Sequence, residues 1–156
     1  MPKNNVIAEG VTPEMEAVTA AKFAEWDDVV EKNLIEGSEQ QQAYVLQLLQ
    51  DPTIYTYAFF KNKNSEPMKL YPYQDLIIND PHRRVLFAAA NQIGKSVTLC
   101  CKALHFALTH PGTTTLMVSK TLPQSKDLLR EIKRLLQTSS LDYKATVGDT
   151  ETKTEI

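Results

Sequence analysis

The sequence of 156 residues is long enough for one domain of modest size and too short for two domains that each have a substantial hydrophobic core. Its 42% content of hydrophobic residues supports a packed core, and no apolar run approaches the ~20 residues that a membrane helix needs. The net charge of −2 hides an asymmetry, because residues 1–60 carry 10 acidic and 3 basic side chains and residues 61–156 carry 9 and 14. These counts predict an acidic leader over residues 1–66 and a mildly basic domain that carries the function over residues 67–156.

Two helices are predicted in the acidic leader. The first begins at Thr12-Pro13-Glu14, where a hydroxyl cap, a proline and an acid are typical of a helix start, and it ends near Gly37. The tetrapeptide Ser38-Glu39-Gln40-Gln41 has the capping-box pattern and predicts a second helix that runs to Asp51-Pro52. The apolar residues that share one face of the first helix are Phe23, Trp26 and Val30.

The remainder of the chain is predicted to alternate strands and helices. Residues 53–68 have weakly alternating aromatic side chains and are interpreted as a short strand or an extended connection. Strands are predicted at 84–89 and 113–119, and helices at 72–78, 95–109 and 123–137. A strand, helix, strand, helix order at this spacing is typical of a right-handed crossover unit. The predicted fold is therefore α/β with a parallel sheet, preceded by the helical leader.

The most informative motif is the segment Ala89–Ser96, which lies between a predicted strand and a predicted helix. It matches the phosphate-loop pattern G-x-x-x-x-G-K-[ST] except at its first position, where Ala89 replaces glycine. In such a loop, backbone N–H groups and the lysine bind phosphate, and the hydroxyl can ligate Mg²⁺. The residues predicted to hold phosphate are Asn91, Gln92, Ile93, Gly94 and Lys95, with Ser96 at the metal. The alternative is a solvent-exposed Gly-Lys-Ser that begins an ordinary helix.

A second motif, Leu70-Tyr71-Pro72-Tyr73-Gln74, precedes Lys95 by about twenty residues, a distance that the chain can fold back across. The amide of a glutamine offers both a donor and an acceptor, which match the N6/N7 edge of adenine. We therefore interpret Gln74 as an adenine contact. The alternative is a helix that begins at a proline and leaves Gln74 merely exposed.

Together these residues resemble the N-terminal ATPase part of the large terminase subunit of tailed bacteriophages. Tyr71–Gln74 resembles its adenine motif, Asn91–Ser96 its variant Walker A loop, and Thr114–Thr121 the strand that follows. The resemblance covers about residues 68–156 and implies a P-loop NTPase-like sheet, ATP and Mg²⁺ as cofactors, and packaging of double-stranded DNA as the activity. It also implies the terminase small subunit and the portal protein as partners, and the host cytoplasm as the location. Many members have arginine where this chain has Asn91, so that arginine's role is not transferred.

The acidic residues after Ser96 leave catalysis undecided. None of them ends an apolar strand, which is where a P-loop ATPase holds the acid that serves Mg²⁺ and the attacking water. No nuclease domain is recognisable, and residues 152–156 alternate like the start of a further strand. The expectation is therefore a truncated terminase with an incomplete sheet. Two other hypotheses stay open: a fragment of a helicase-like, ATP-dependent translocase, and a non-catalytic nucleotide-binding or interaction module.

Overall fold

The computed structural model describes residues 11–82 and 84–141, and helices make up most of this part of the chain. The six α-helices are α1 (Pro13–Glu31), α2 (Glu39–Leu48), α3 (Pro52–Phe59), α4 (Pro72–Ile78), α5 (Lys95–Thr109) and α6 (Leu122–Thr138). A 3-10 turn, Leu34–Glu36, separates α1 from α2. None of the helices in the described ranges is long and apolar enough to cross a membrane.

The two predicted helices of the leader are confirmed, but each ends earlier than predicted: α2 ends at Leu48 and not at Asp51-Pro52. Thr12 Oγ1 accepts a hydrogen bond from the Met15 N–H at 3.2 Å and caps α1 as predicted. The helix ends at Glu31, earlier than predicted, because Asn33 adopts a left-handed conformation with φ of 51°. The buried face of α1 also differs from the predicted apolar face. Val29 is fully buried, whereas Val30, which was predicted to lie on the apolar face, is 55% exposed.

The strand or extended connection predicted over residues 53–68 is wrong in its first half, which forms helix α3. Asp51 Oδ1 accepts hydrogen bonds from the N–H groups of Thr53 and Ile54, and a proline occupies the first turn. The alternating aromatic residues suggest a strand, but α3 is buried on several sides, which overrides that local preference. The second half of this range is not helical, and its only β-structure is an isolated antiparallel bridge between Lys61 and Pro67.

The three helices predicted in the second part are confirmed. Helix α4 begins at Pro72 and ends at Ile78 as predicted, and α5 has the predicted bounds of Lys95 and Thr109. Helix α6 extends the predicted range by one residue at each end. Proline in the first turn of α4 and α6, and His110-Pro111-Gly112 after α5, account for these boundaries.

Helix α3 lies between the two hydrophobic clusters that form the core. Its Tyr55 belongs to the cluster formed with α4, α5 and α6, while Ile54 and Tyr57 belong to the cluster formed with α1 and α2. Leu49 packs against both clusters. The leader helices and the second part of the chain are therefore joined by apolar packing on opposite sides of one short helix.

The predicted P-loop NTPase-like α/β fold with a parallel sheet is wrong for the described part of the chain, which contains no strand of a sheet. The two runs predicted as strands have no regular secondary structure, and Leu86, Leu116 and Val118 are 95%, 83% and 79% exposed. An apolar, β-branched run favours extended backbone, but a sheet also requires a hydrogen-bonded neighbour strand. Here the helices bury the core among themselves instead. The strand predicted at 152–156 lies outside the described residues.

The adjacent residues Cys100 and Cys101 on α5 are both completely buried. Burial raises the pKa of the Cys100 thiol to about 11 and that of Cys101 to about 12. Because the thiolate is the reactive form, we expect neither cysteine to react with an aromatic disulfide reagent at pH 8 in the folded protein. Both should react in denaturing urea. Rapid labelling of either residue under native conditions would contradict this packing.

Candidate phosphate-binding site

The segment of residues 89–96, here called the GKS loop, folds back on itself directly before α5. Gln92 and Gly94 both have left-handed backbone conformations, with φ of 64° and 90°. Lys95, the first residue of α5, turns its side chain into the loop, and its Nζ donates hydrogen bonds to the carbonyl oxygens of Ala89, at 2.6 Å, and Ala90. The loop therefore closes around a positively charged ammonium group.

The backbone N–H groups at the start of α5 have no hydrogen-bond acceptor within the described part of the chain. Residues 91–92 form a turn, but none of the N–H groups of residues 94–97 donates a hydrogen bond to protein. The first paired one belongs to Thr98, which donates to the Gly94 carbonyl at 3.0 Å. Free N–H groups at a helix N-terminus carry a partial positive charge, which favours an anion.

Helix α4 holds the GKS loop from one side through two consecutive residues. The Tyr73 hydroxyl donates a hydrogen bond to the Ile93 carbonyl. The Gln74 Nε2 group donates to Thr98 Oγ1 at 2.9 Å, and Thr98 Oγ1 in turn donates to the Gly94 carbonyl at 3.0 Å. Thr98 is fully buried, so the link from Gln74 to the loop is shielded from water. The loop is thus braced by residues that lie twenty or more positions earlier in the chain.

Gln74 is 5% exposed, so the alternative of a merely exposed glutamine is not what the structure shows. Its Oε1 accepts a hydrogen bond from the Tyr71 N–H at 2.9 Å, which caps α4. An amide has a second N–H and further lone pairs, so one donor of Gln74 is left after the bond to Thr98. Its adenine contact stays a prediction. Beside it, the Tyr71 ring is 59% exposed and stacks on Tyr73 with 5.8 Å between ring centroids and 8° between planes.

An open cavity of about 660 Å³ lies beside the GKS loop and reaches α6. Its polar lining includes Lys95, Ser96, Asp127 and Glu131. The two carboxylates form ion pairs within α6, Asp127 with Arg130 and Glu131 with Arg134, both at 2.6 Å. Neither acid follows an apolar strand-like run in the sequence, so no sequence pattern predicts either of them as a metal ligand. Hydroxyl and carboxylate oxygens are the donors that Mg²⁺ prefers, so this wall suits the metal chemically.

The structure brings together four of the seven predicted site residues through hydrogen bonds. Gln74, Ile93, Gly94 and Lys95 take part in the contacts of the loop and its brace. Asn91 and Gln92 are exposed, as is Ser96 at the start of α5. No group of three or more potential metal-ligating His, Cys, Asp or Glu side chains occurs in residues 11–82 and 84–141.

Comparison with known proteins gives no match: no family model, no curated protein and no solved structure is similar to this chain.

Proposed function

We propose that this chain binds ATP and Mg²⁺ through the GKS loop, as the ATP-binding portion of a phage terminase large subunit that powers packaging of double-stranded DNA in the host cytoplasm. The observation that carries the proposal is the loop itself, which closes around the Lys95 ammonium and leaves the N–H groups of residues 94–97 without a partner in the described part of the chain. Phosphate binding of this kind needs a loop, a lysine and a helix N-terminus. It does not require the parallel sheet that the described residues lack.

In the proposed complex, each part of the site has a separate role. The N–H groups of residues 94–97 bind phosphate oxygens, and Lys95 exchanges its two carbonyl partners for the phosphates. Ser96, on the wall of the cavity, holds Mg²⁺, which neutralises part of the phosphate charge when bound. Gln74 braces the loop and directs its remaining amide donor to adenine. Double-stranded DNA, the small subunit and the portal protein enter the proposal only through the motif resemblance.

A non-catalytic nucleotide-binding module is the second candidate, and the state of Glu131 favours it. Both carboxylate oxygens of Glu131 accept hydrogen bonds from Arg134, whereas an acid that serves Mg²⁺ or the attacking water needs a free oxygen. ATP binding without turnover would support the module, and turnover that depends on Lys95 would support the ATPase. A helicase-like translocase shares the glutamine and loop motifs, so dependence of turnover on single-stranded rather than double-stranded DNA would favour that alternative.

Replacing Lys95 with alanine tests the proposal. We expect the affinity for Mg-ATP to fall about 10- to 100-fold, because a charge-assisted hydrogen bond contributes about 1.5–3 kcal/mol. Isothermal titration calorimetry measures the affinity, and circular dichroism checks that the variant is folded. The matched control is Lys63→Ala, which removes the same charge from an exposed turn. Equal ATP affinity of the wild-type protein and the folded Lys95→Ala variant would overturn the phosphate assignment.

A further inference from the structure

Helix α4 lies between the GKS loop and the leader, and it is only seven residues long. Three consecutive residues connect the two sides: Tyr73 and Gln74 contact the loop, and Asp75 contacts the leader. Successive side chains of a helix point about 100° apart, so neighbouring residues can serve different partners. A helix of two turns moves as one rigid unit. A displacement of Asp75 therefore also displaces Gln74.

The leader side of this connection is a buried, charged cluster. Asp75 is 5% exposed and accepts hydrogen bonds from Lys22 Nζ at 2.6 Å, Thr19 Oγ1 at 2.9 Å and Thr53 Oγ1 at 2.6 Å. Lys22 also pairs with Asp51 at 2.8 Å, so its single ammonium group neutralises two carboxylates. Lys22 and Thr19 both belong to α1. The docking of α1 on α4 thus depends on a buried carboxylate, Asp75, and on the partly buried ammonium group of Lys22.

The energetics of this cluster link α1 to the position of α4. Helix α1 supplies two donors to the Asp75 carboxylate, Lys22 and Thr19, while Thr53 and Asn79 supply two others. If α1 moves away, the carboxylate loses its cation and becomes open to water, so α4 loses the polar contacts that hold it against α1. Helix α4 is then held less firmly, and the hydrogen bonds of Gln74 and Tyr73 that brace the GKS loop are weakened with it.

We propose that the docking of α1 on α4, through Lys22 and Asp75, regulates nucleotide binding by the GKS loop. This inference rests on the proposed function and adds a control element to it: Lys22 and Asp75 are positioning residues that act through Gln74 and Tyr73. By thermodynamic linkage, a ligand that binds the braced loop strengthens the docking of α1 by the same factor by which docking strengthens the ligand. Any partner that captures α1 in the undocked state would release the nucleotide.

The first experiment compares Lys22 of α1 with Lys32, the residue that directly follows α1. Lys22→Met keeps the apolar stem and removes the charge, and we expect the Mg-ATP dissociation constant to rise about fivefold or more. The matched control is Lys32→Met, since Lys32 forms an exposed ion pair with Asp28 on α1. That variant should bind ATP like the wild-type protein. Lys22→Arg should recover much of the affinity, because it restores the cation between the two carboxylates.

The second experiment uses the wild-type protein and its single tryptophan. Trp26 lies on α1, is 7% exposed and packs in the cluster with Val29, Val45 and Ile54. In urea below the global unfolding transition, we expect Mg-ATP to reduce acrylamide quenching of Trp26. Lys95→Ala, which is defective in phosphate binding, should show no such change. Without nucleotide, amide hydrogen exchange at residues 91–97 should be faster in Lys22→Met than in Lys32→Met.

The outcomes separate the two proposals. If calorimetry finds no ATP binding by the wild-type protein, the proposed function fails and regulation of nucleotide binding fails with it. If ATP binds, but Lys22→Met binds it equally well and Trp26 quenching is unchanged, the phosphate site stands and its coupling to the leader is overturned. Weakened binding together with unchanged Trp26 quenching and unchanged loop exchange would also overturn the coupling.

Discussion

The Asp75→Ala variant is expected to lose about 3–5 kcal/mol of the free energy of unfolding, because it breaks a buried ion pair by removing one partner. The loss leaves Lys22 with Asp51 alone and deprives Thr19 and Thr53 of their shared acceptor. Urea unfolding followed by tryptophan fluorescence and by circular dichroism measures the effect. The control is Asp28→Ala, which removes an exposed carboxylate from α1 and should leave the transition midpoint unchanged. A loss below about 1 kcal/mol for Asp75→Ala would show that the cluster contributes little.

The pH dependence of the free energy of unfolding tests the same carboxylate independently. Burial alone would raise the pKa of Asp75, but hydrogen bonds from Lys22, Thr53 and Thr19 and the charge of Lys22 outweigh it, so the pKa lies below its ordinary value of 3.8. A carboxyl group with a lowered pKa stabilises the folded state above its unfolded pKa, and that contribution disappears as the pH falls through the folded value. We therefore expect the free energy of unfolding to fall below about pH 4. Asp75→Ala should show a shallower decline.

The second large effect is expected for Gly94→Ala. Gly94 has φ of 90°, where a side chain costs about 1–2 kcal/mol, and an added Cβ would lie 2.7 Å from Gln74 Nε2. The Gln74 amide cannot easily retreat, since Tyr71 and Thr98 hold its two ends. Strain and overlap together should destabilise the protein by about 3 kcal/mol and abolish ATP binding.

Gly112→Ala is the matched control for this substitution. Gly112 has φ of 80°, but no atom lies within 4 Å of its added Cβ, so this variant has the backbone strain without the overlap. We expect it to be destabilised by about 1–2 kcal/mol and to bind ATP like the wild-type protein. Chemical denaturation and calorimetry of both variants separate the two contributions. Equal losses of stability and of ATP affinity in the two variants would show that the contact with Gln74 is unimportant.

The parts of the fold that could be predicted are those set by local signals. Pro13, Pro72 and the His110-Pro111-Gly112 segment mark helix ends by their own backbone chemistry, and the structure has helix boundaries at these positions. Helix α3 was predicted incorrectly because its aromatic residues favour a strand locally, whereas its burial between two clusters favours a helix. The sheet was predicted incorrectly for a related reason. An apolar run shows that a segment can pair, but pairing depends on residues elsewhere in the chain.

The candidate site was only partly predictable for the same physical reason. Spacing alone identified the GKS loop and its lysine, because the loop motif is contiguous. The contacts that brace the loop join residues separated by 20 and 24 positions, and those of Asp75 reach 56 positions back to Thr19. No local pattern contains such information. One signal is present in the sequence. Three consecutive polar side chains on a short helix, here Tyr73, Gln74 and Asp75, point in different directions and indicate contacts with more than one neighbouring element.

Gln74 makes two structural hydrogen bonds, to the Tyr71 N–H and to Thr98, and this affects which substitutions position 74 tolerates. In a saturation library under selection for function, most codons at position 74 would be depleted, because the glutamine both caps its helix and supports Thr98. That depletion would occur whether or not a nucleobase ever touches the side chain. Position 71 is different, since its ring is 59% exposed and its capping contact uses the backbone N–H, which every substitution except proline retains. Because the Tyr71 ring also stacks on Tyr73, intolerance of non-aromatic residues at position 71 would report either that stacking or selection for a ligand, and tolerance there would indicate that the backbone fold alone constrains this helix.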